Sequence, residues 1–82
     1  IAIIEIARTS MPNVEFLKKV RKFCNKNKII LIFDECTSAF RINFGGIHLI
    51  TKVNPDIATF GKALGNGYAI SAIIGKKNIR VL

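Results

Sequence analysis

Apolar residues fall along this chain in short runs separated by polar turns. The most continuous is Ile29-Ile30-Leu31-Ile32-Phe33, mostly β-branched, which runs straight into Asp34 and Glu35 and then a polar turn reaching Arg41. A short unbroken run of this kind predicts a strand buried on both faces, as in a parallel sheet, rather than an alternating surface strand. Residues 1–6 form a first strand of the same type, interrupted only by Glu5 near its carboxyl end. Between the two, Asn13 can cap a helix and Glu15 favours a first turn. Phe16, Val20, Phe23 and Cys24 then recur at i, i+4, i+7 and i+8, so the spacing predicts an amphipathic helix over 13–25. Asn25 and Asn27 supply stop signals. Strand, helix and strand within ~35 residues predict a right-handed βαβ unit.

Downstream the pattern is finer. Asn43-Phe44-Gly45-Gly46 reads as a loop whose glycines permit unusual backbone angles. Residues 47–52 predict a short helix, and Asn54-Pro55-Asp56 a turn, because the residue before a proline is pushed out of the helical region. Ile57-Ala58-Thr59-Phe60 reads as a third strand and Gly61-Lys62-Ala63-Leu64-Gly65-Asn66-Gly67 as a glycine-rich loop. Residues 68–74 predict a fourth strand and 75–82 the opening of a helix. The fold class expected is α/β, a mostly parallel sheet with flanking helices.

An apolar content of 50% and a mean hydropathy of +0.36 argue for core material rather than disorder. With 82 residues, beginning at Ile1 and stopping in mid-pattern, the chain reads as a fragment with N-terminal and C-terminal parts missing. A domain this small buries only about 60% of its unfolded surface, so independent stability is doubtful and cofactor binding by the isolated piece is expected to be weak or absent. No apolar run reaches the ~20 residues of a membrane helix, and no signal-peptide pattern opens the chain. Cys24 and Cys36 lack metal-ligand spacing and only one His is present, so no metal site is expected and the thiols read as reduced, in a cytoplasmic protein. The net charge of +8 raises a nucleic-acid partner as an alternative. Yet Lys18, Lys19, Arg21, Lys22, Lys26 and Lys28 cluster in or just after one helix without interleaved aromatics, which predicts a solvated helix face and no nucleic acid.

A carboxylate just beyond a buried strand lies where open α/β sheets place their ligands. Ionised Asp34 is costly to desolvate there unless it faces a side-chain cation, a metal or a cofactor. Lys62, flanked by Gly61, Gly65 and Gly67, sits where small neighbours let backbone and ligand approach closely. Desolvation would free its amine as a nucleophile, the logic of Schiff-base lysines. Pyridoxal phosphate chemistry needs such a lysine and an acid facing the pyridinium nitrogen. Spacing alone leaves open whether the two strand ends are neighbours. The plainer readings are a turn-capping Asp34, a solvated Lys62, structural hydrogen bonds or an ion pair at Glu35 and Arg41, a supporting Glu5, and a packed or surface His48.

The blocks 32–41, Asn54-Pro55-Asp56-Ile57 and 60–67, with 28 residues from Asp34 to Lys62, closely resemble the class III pyridoxal-phosphate aminotransferases, and within them the glutamate-1-semialdehyde aminomutase branch. The resemblance covers nearly the whole chain from Glu5 onward. It implies part of the large domain of a fold-type-I transferase, spanning residues 1–82. It also implies a homodimer, and transfer of an amino group between a donor amine or amino acid and an aldehyde or ketone. Lys62 would carry pyridoxal phosphate as a Schiff base and Asp34 would pair with the ring nitrogen. Cys36 would pack on one ring face and Thr37 would contact the phenolic oxygen. Ala39 stands where the family usually has Gly, predicting backbone strain before Phe40, and Ile6 where many members have Pro. A catalytically inactive α/β binding or assembly module is the alternative; the presence of both Asp34 and Lys62 counts against it.

Overall fold

The structure is a computed structural model that describes residues 1–8 and 10–79. Four strands, β1 (Ala2–Glu5), β2 (Leu31–Asp34), β3 (Ile57–Phe60) and β4 (Ala72–Gly75), form one sheet in the order β1-β2-β3-β4. The first three run parallel, with Glu5 opposite Asp34 and Asp34 opposite Thr59. β4 is antiparallel to β3, pairing Ile57 with Gly75 and Phe60 with Ala72. Helix α1 (Val14–Lys26) links β1 to β2, and the short α2 (His48–Thr51) precedes β3.

The helix ends follow the local chemistry. The Asn13 side chain accepts a hydrogen bond from the Phe16 amide (3.1 Å), satisfying a donor that the first turn leaves free. At the other end the Asn27 amide side chain donates to the Phe23 carbonyl (2.9 Å), and Lys28 takes a left-handed backbone, φ +54°, that turns the chain into β2.

The face that α1 buries differs from the expected stripe. Leu17 and Cys24 are buried and Val20 packs beside them, whereas Phe16 and Phe23 are 55% and 61% exposed. The i, i+3, i+7 row through Leu17 meets Leu31 and Phe33 on the sheet, and both phenylalanines lie on its flanks. Arg21, read as part of a solvated cationic face, instead turns inward. Its Nη2 lies 3.0 Å from Asp56 Oδ2, and both side chains are only 14% exposed. Asp56 Oδ2 also accepts from the Leu31 amide (2.8 Å), Arg21 Nη1 donates to the Asn54 carbonyl (3.0 Å), and Lys76 Nζ lies 3.4 Å from Oδ1. One carboxylate thus ties α1 to the amino ends of β2 and β3 and to the exit of β4.

Packing is one-sided. Ile6, Ala7, Leu17, Cys24, Leu31, Phe33, Ile47 and Val53 form the main core, and Ala39, Ala58 and Phe60 a smaller one. On the opposite face Ile32 and Asp34 are half-buried and Ile3 and Ile73 exposed, so β2 is covered on one face where the apolar run predicted two. Three further expectations shift. Residues 68–71 form a bend and irregular chain rather than strand, and the Tyr68 and Ile70 amides bond within the loop, to the Gly65 and Tyr68 carbonyls. In place of a helix, β4 runs to Gly75 and a turn follows, with the Ile79 amide on Lys76; 80–82 lie outside the described residues. The left-handed residue of the turn after β2 is Phe40 (φ +61°), and Ala39 packs in the smaller core.

Asp56 carries a testable consequence. Replacing it with Ala in the intact protein strands a mostly buried guanidinium and the Leu31 amide, an effect expected to cost about 3 kcal/mol. Urea unfolding of wild type and Asp56→Ala measures this, and a loss comparable to that of a surface ion pair, below about 1 kcal/mol, contradicts the clasp.

Candidate active site

The register that puts Phe33 in the core puts Asp34 on the open face at the carboxyl edge of the parallel strands. Its Oδ1 accepts from the Cys36 amide (3.1 Å) and from the hydroxyl of Thr59 (3.4 Å), its register neighbour on β3. Among the described residues no hydrogen bond goes to Oδ2. The Cys36 amide bond holds the Asp34 carboxyl below the ordinary carboxylate value. Burial opposes this, and the Cys36 thiol, the Thr59 hydroxyl and the Lys62 charge add to the lowering. The same proximity works in reverse on Cys36, whose thiol is pushed up by burial first and then by its bond to Asp34 and that carboxylate's charge. Both effects disfavour the thiolate form of Cys36.

Lys62 arrives at this edge from β3. Gly61 is extended and close to Cys36, where an added Cβ would lie 3.5 Å from Sγ. Lys62 itself has φ +44°, a left-handed conformation that non-glycine residues seldom take and that collects at functional sites. It opens the single 3-10 turn Lys62–Gly65, closed by the Leu64 amide on the Gly61 carbonyl (3.0 Å). The Lys62 Nζ donates to Thr37 Oγ1 at 2.7 Å. All four residues singled out in the sequence thus meet at one edge: Asp34 bonded to Cys36, and Lys62 bonded to Thr37.

The plainer candidates separate cleanly. Glu35 is fully buried, accepting from Ser38 Oγ (3.1 Å) and the Ile47 amide (2.6 Å), the structural role expected of it. Glu5 pairs with Arg8 (3.1 Å) at the exposed end of β1. Arg41 is exposed, and its backbone amide bonds to Ser38. Sequence reasoning missed Thr59. The signal was a polar residue on a short apolar strand that must sit beside Asp34 if β2 and β3 pair in parallel.

The Asp34 carboxylate and the exposed Lys62 amine stand at the same edge of the sheet, a donor set whose chemistry fits a group carrying both a cationic nitrogen and a carbonyl. Among the described residues no group of three or more His, Cys, Asp or Glu could hold a metal ion.

Comparison with known proteins agrees. The family model for class-III aminotransferases matches residues 8–81. A 3-aminobutyryl-CoA aminotransferase of Cloacimonas acidaminovorans is 46% identical over 71 residues, which are 87% of this chain and 17% of that protein. A glutamate-1-semialdehyde 2,1-aminomutase of Nitrosopumilus maritimus is 48% identical over 69 residues, 84% of this chain and 16% of that protein. A solved transaminase with pyridoxal phosphate bound superposes with a TM-score of 0.82 at 25% identity, over 92% of this chain and 18% of that one. The chain spans about one-sixth of the length of the curated relatives it matches.

The lowered pKa of Asp34 has a defined sign. Its ionised form stabilises the fold above the unfolded carboxylate value of about 3.9, and that contribution is lost as pH falls through the lower folded value. Thermal melts of the intact protein and its Asp34→Asn variant are expected to converge as pH drops from 5 toward 3, given these values. A gap that stays constant with pH contradicts the assignment.

Proposed function

Because this chain belongs to the class-III aminotransferase family, we propose that it is the cofactor-binding part of the large domain of a pyridoxal-phosphate-dependent aminotransferase or aminomutase. The observation that carries the reading is the convergence of the Lys62 amine and the Asp34 carboxylate on one edge of the sheet, each fixed by a partner from the same turn, Thr37 and Cys36.

Bound pyridoxal phosphate would supply an electron sink for a carbanion formed on the substrate. The chain's own residues prepare for it. Lys62 would hold the cofactor through its amine and serve as the general base and acid that takes up and returns a proton. Thr37 accepts a hydrogen bond from that amine at 2.7 Å and so would orient it at the sheet edge. Asp34, whose carboxyl is held below its ordinary value, would pair with the ring nitrogen, and the Thr59 hydroxyl helps hold its carboxylate in place. Cys36 would supply a polarisable surface beside the ring.

The substrates proposed are a small-molecule amino donor and a carbonyl acceptor, or one molecule that is both. The aminomutase and the 3-aminobutyryl-CoA aminotransferase among the relatives support the two outcomes equally. A cytoplasmic homodimer without nucleic-acid or membrane partners completes the reading. No described helix is long and apolar enough to cross a membrane. Arg21, folded onto Asp56, is withdrawn from the basic cluster that a nucleic-acid reading needs.

Borohydride reduction of the intact holoenzyme, followed by peptide mapping, is expected to place the pyridoxyl label on Lys62. Lys62→Ala should abolish the label and lower kcat by at least about 10²-fold. Label on another lysine, or an intact protein that never acquires the cofactor's visible absorption, overturns the reading in favour of an inactive module.

A further inference from the structure

One buried group is not used by this chemistry. Glu35 follows Asp34 directly and is completely inaccessible, yet only one of its carboxylate oxygens is satisfied. Oε1 takes both hydrogen bonds, from Ser38 Oγ and the Ile47 amide. Oε2 is buried without a partner, and 3.7 Å away lies His48 Nδ1, also buried and without one. Two orphaned polar atoms aimed at each other are an unusual arrangement in a folded protein, because each unpaired buried group carries its full desolvation penalty. The separation is too long for a hydrogen bond, and a displacement of about 0.7 Å brings it to the usual N–H···O length. Gly46 makes the approach possible. A Cβ there would lie 2.5 Å from Glu35 Oε2 and 2.6 Å from His48 Nδ1.

Glu35 also occupies a mechanically sensitive place. Its amide donates to the Thr59 carbonyl (2.9 Å) and its carbonyl accepts from the Ala39 amide (3.0 Å), so it anchors both ends of the turn bearing Cys36, Thr37 and Ser38. Through Ser38 its side chain grips that turn from within, and through Ile47 it grips the start of α2. The turn supplies the Cys36 amide to Asp34 and the Thr37 hydroxyl to Lys62. Glu35 therefore braces both groups of the proposed site from behind the sheet edge.

We infer that Glu35 and His48 are positioning residues of the cofactor site: Nδ1–H of His48 donates to Oε2 of Glu35 and so locks the 36–38 turn that orients Asp34 and Lys62. The inference rests on the reading of Lys62 and Asp34 as cofactor-binding groups. The two can fail separately, because the pair acts on the turn with or without cofactor.

The test compares His48→Phe, which keeps a ring but removes the donor, with His48→Asn, whose amide nitrogen can replace Nδ1. In the intact apoprotein, amide hydrogen exchange across 36–38 is expected to accelerate about tenfold in His48→Phe, the size of effect that follows from leaving one buried acceptor unpaired. It should return to within about twofold of wild type in His48→Asn. In the holoenzyme the dissociation constant for pyridoxal phosphate should follow the same order, and the visible band of the bound cofactor should shift in His48→Phe alone. Unchanged exchange at 36–38 in His48→Phe overturns the inference. So does a His48→Asn variant as impaired as His48→Phe, or a His48→Phe whose only change is a lower Tm. If His48→Phe does not fold, the milder Glu35→Gln decides by the same exchange measurement, with unaltered protection at 36–38 overturning the pair. A wild type that shows the exchange pattern but binds no pyridoxal phosphate refutes the proposed function and leaves the brace standing.

Discussion

Phe33 and Asp34 are consecutive on a strand and so must leave it on opposite faces. The pairing of β2 with β1 and β3 sends Phe33 into the core against Leu17 and Leu31, and the same pairing leaves Asp34 outside, beside Thr59. A slip of one residue would bury the carboxylate among aliphatic side chains and expose the phenyl ring. Burial of an unpaired charge is severely unfavourable, so the core and the candidate site enforce one register together. The Asp56 carboxylate, bonded to the Leu31 amide at the opposite end of β2, adds a polar constraint on the same alignment.

Three carboxylates in this small chain are handled in three ways. Asp56 is compensated by cations. Burial works against its ionisation, but the Leu31 amide, Arg21 and Lys76 outweigh burial and lower its pKa. Asp34 is compensated mainly by a backbone amide and a hydroxyl on one oxygen. Glu35 is the most deeply buried, gripping two donors and facing an imidazole. Both oxygens of Asp56 are engaged, whereas Asp34 and Glu35 each take their hydrogen bonds from described residues on one oxygen alone.

Much of this could be read in the sequence because it is local. The Asn13 cap, the Asn27 stop and the apolar run of β2 each depend on a few adjacent residues, and each stands where its chemistry places it. The strand-end carboxylate and the lysine among glycines were legible as candidates, and parallel pairing of β2 with β3 is what brings them to one edge. What escaped is non-local. Arg21 and Asp56 are 35 residues apart, and nothing near either predicts the other. Phe16 and Phe23 fit a helical period, but which row faces the sheet was decided by Leu31 and Phe33. The second covered face expected for β2 depends on what packs there, and no described element does.

The reversal of direction at β4 has an architectural consequence. The chain leaves β3 at the edge where Lys62 emerges and re-enters the sheet from that same edge, so residues 61–71 form a hairpin connection standing entirely on the side of Asp34 and Lys62. Changing the length or bulk of that connection reshapes the surroundings of Lys62 without disturbing the strands beneath it. The turn after Gly75, at the far edge where Lys76 meets Asp56, offers no such freedom. Variation between otherwise similar chains can therefore accumulate in the first connection and remodel the surface around Lys62, while the sheet that carries it stays the same.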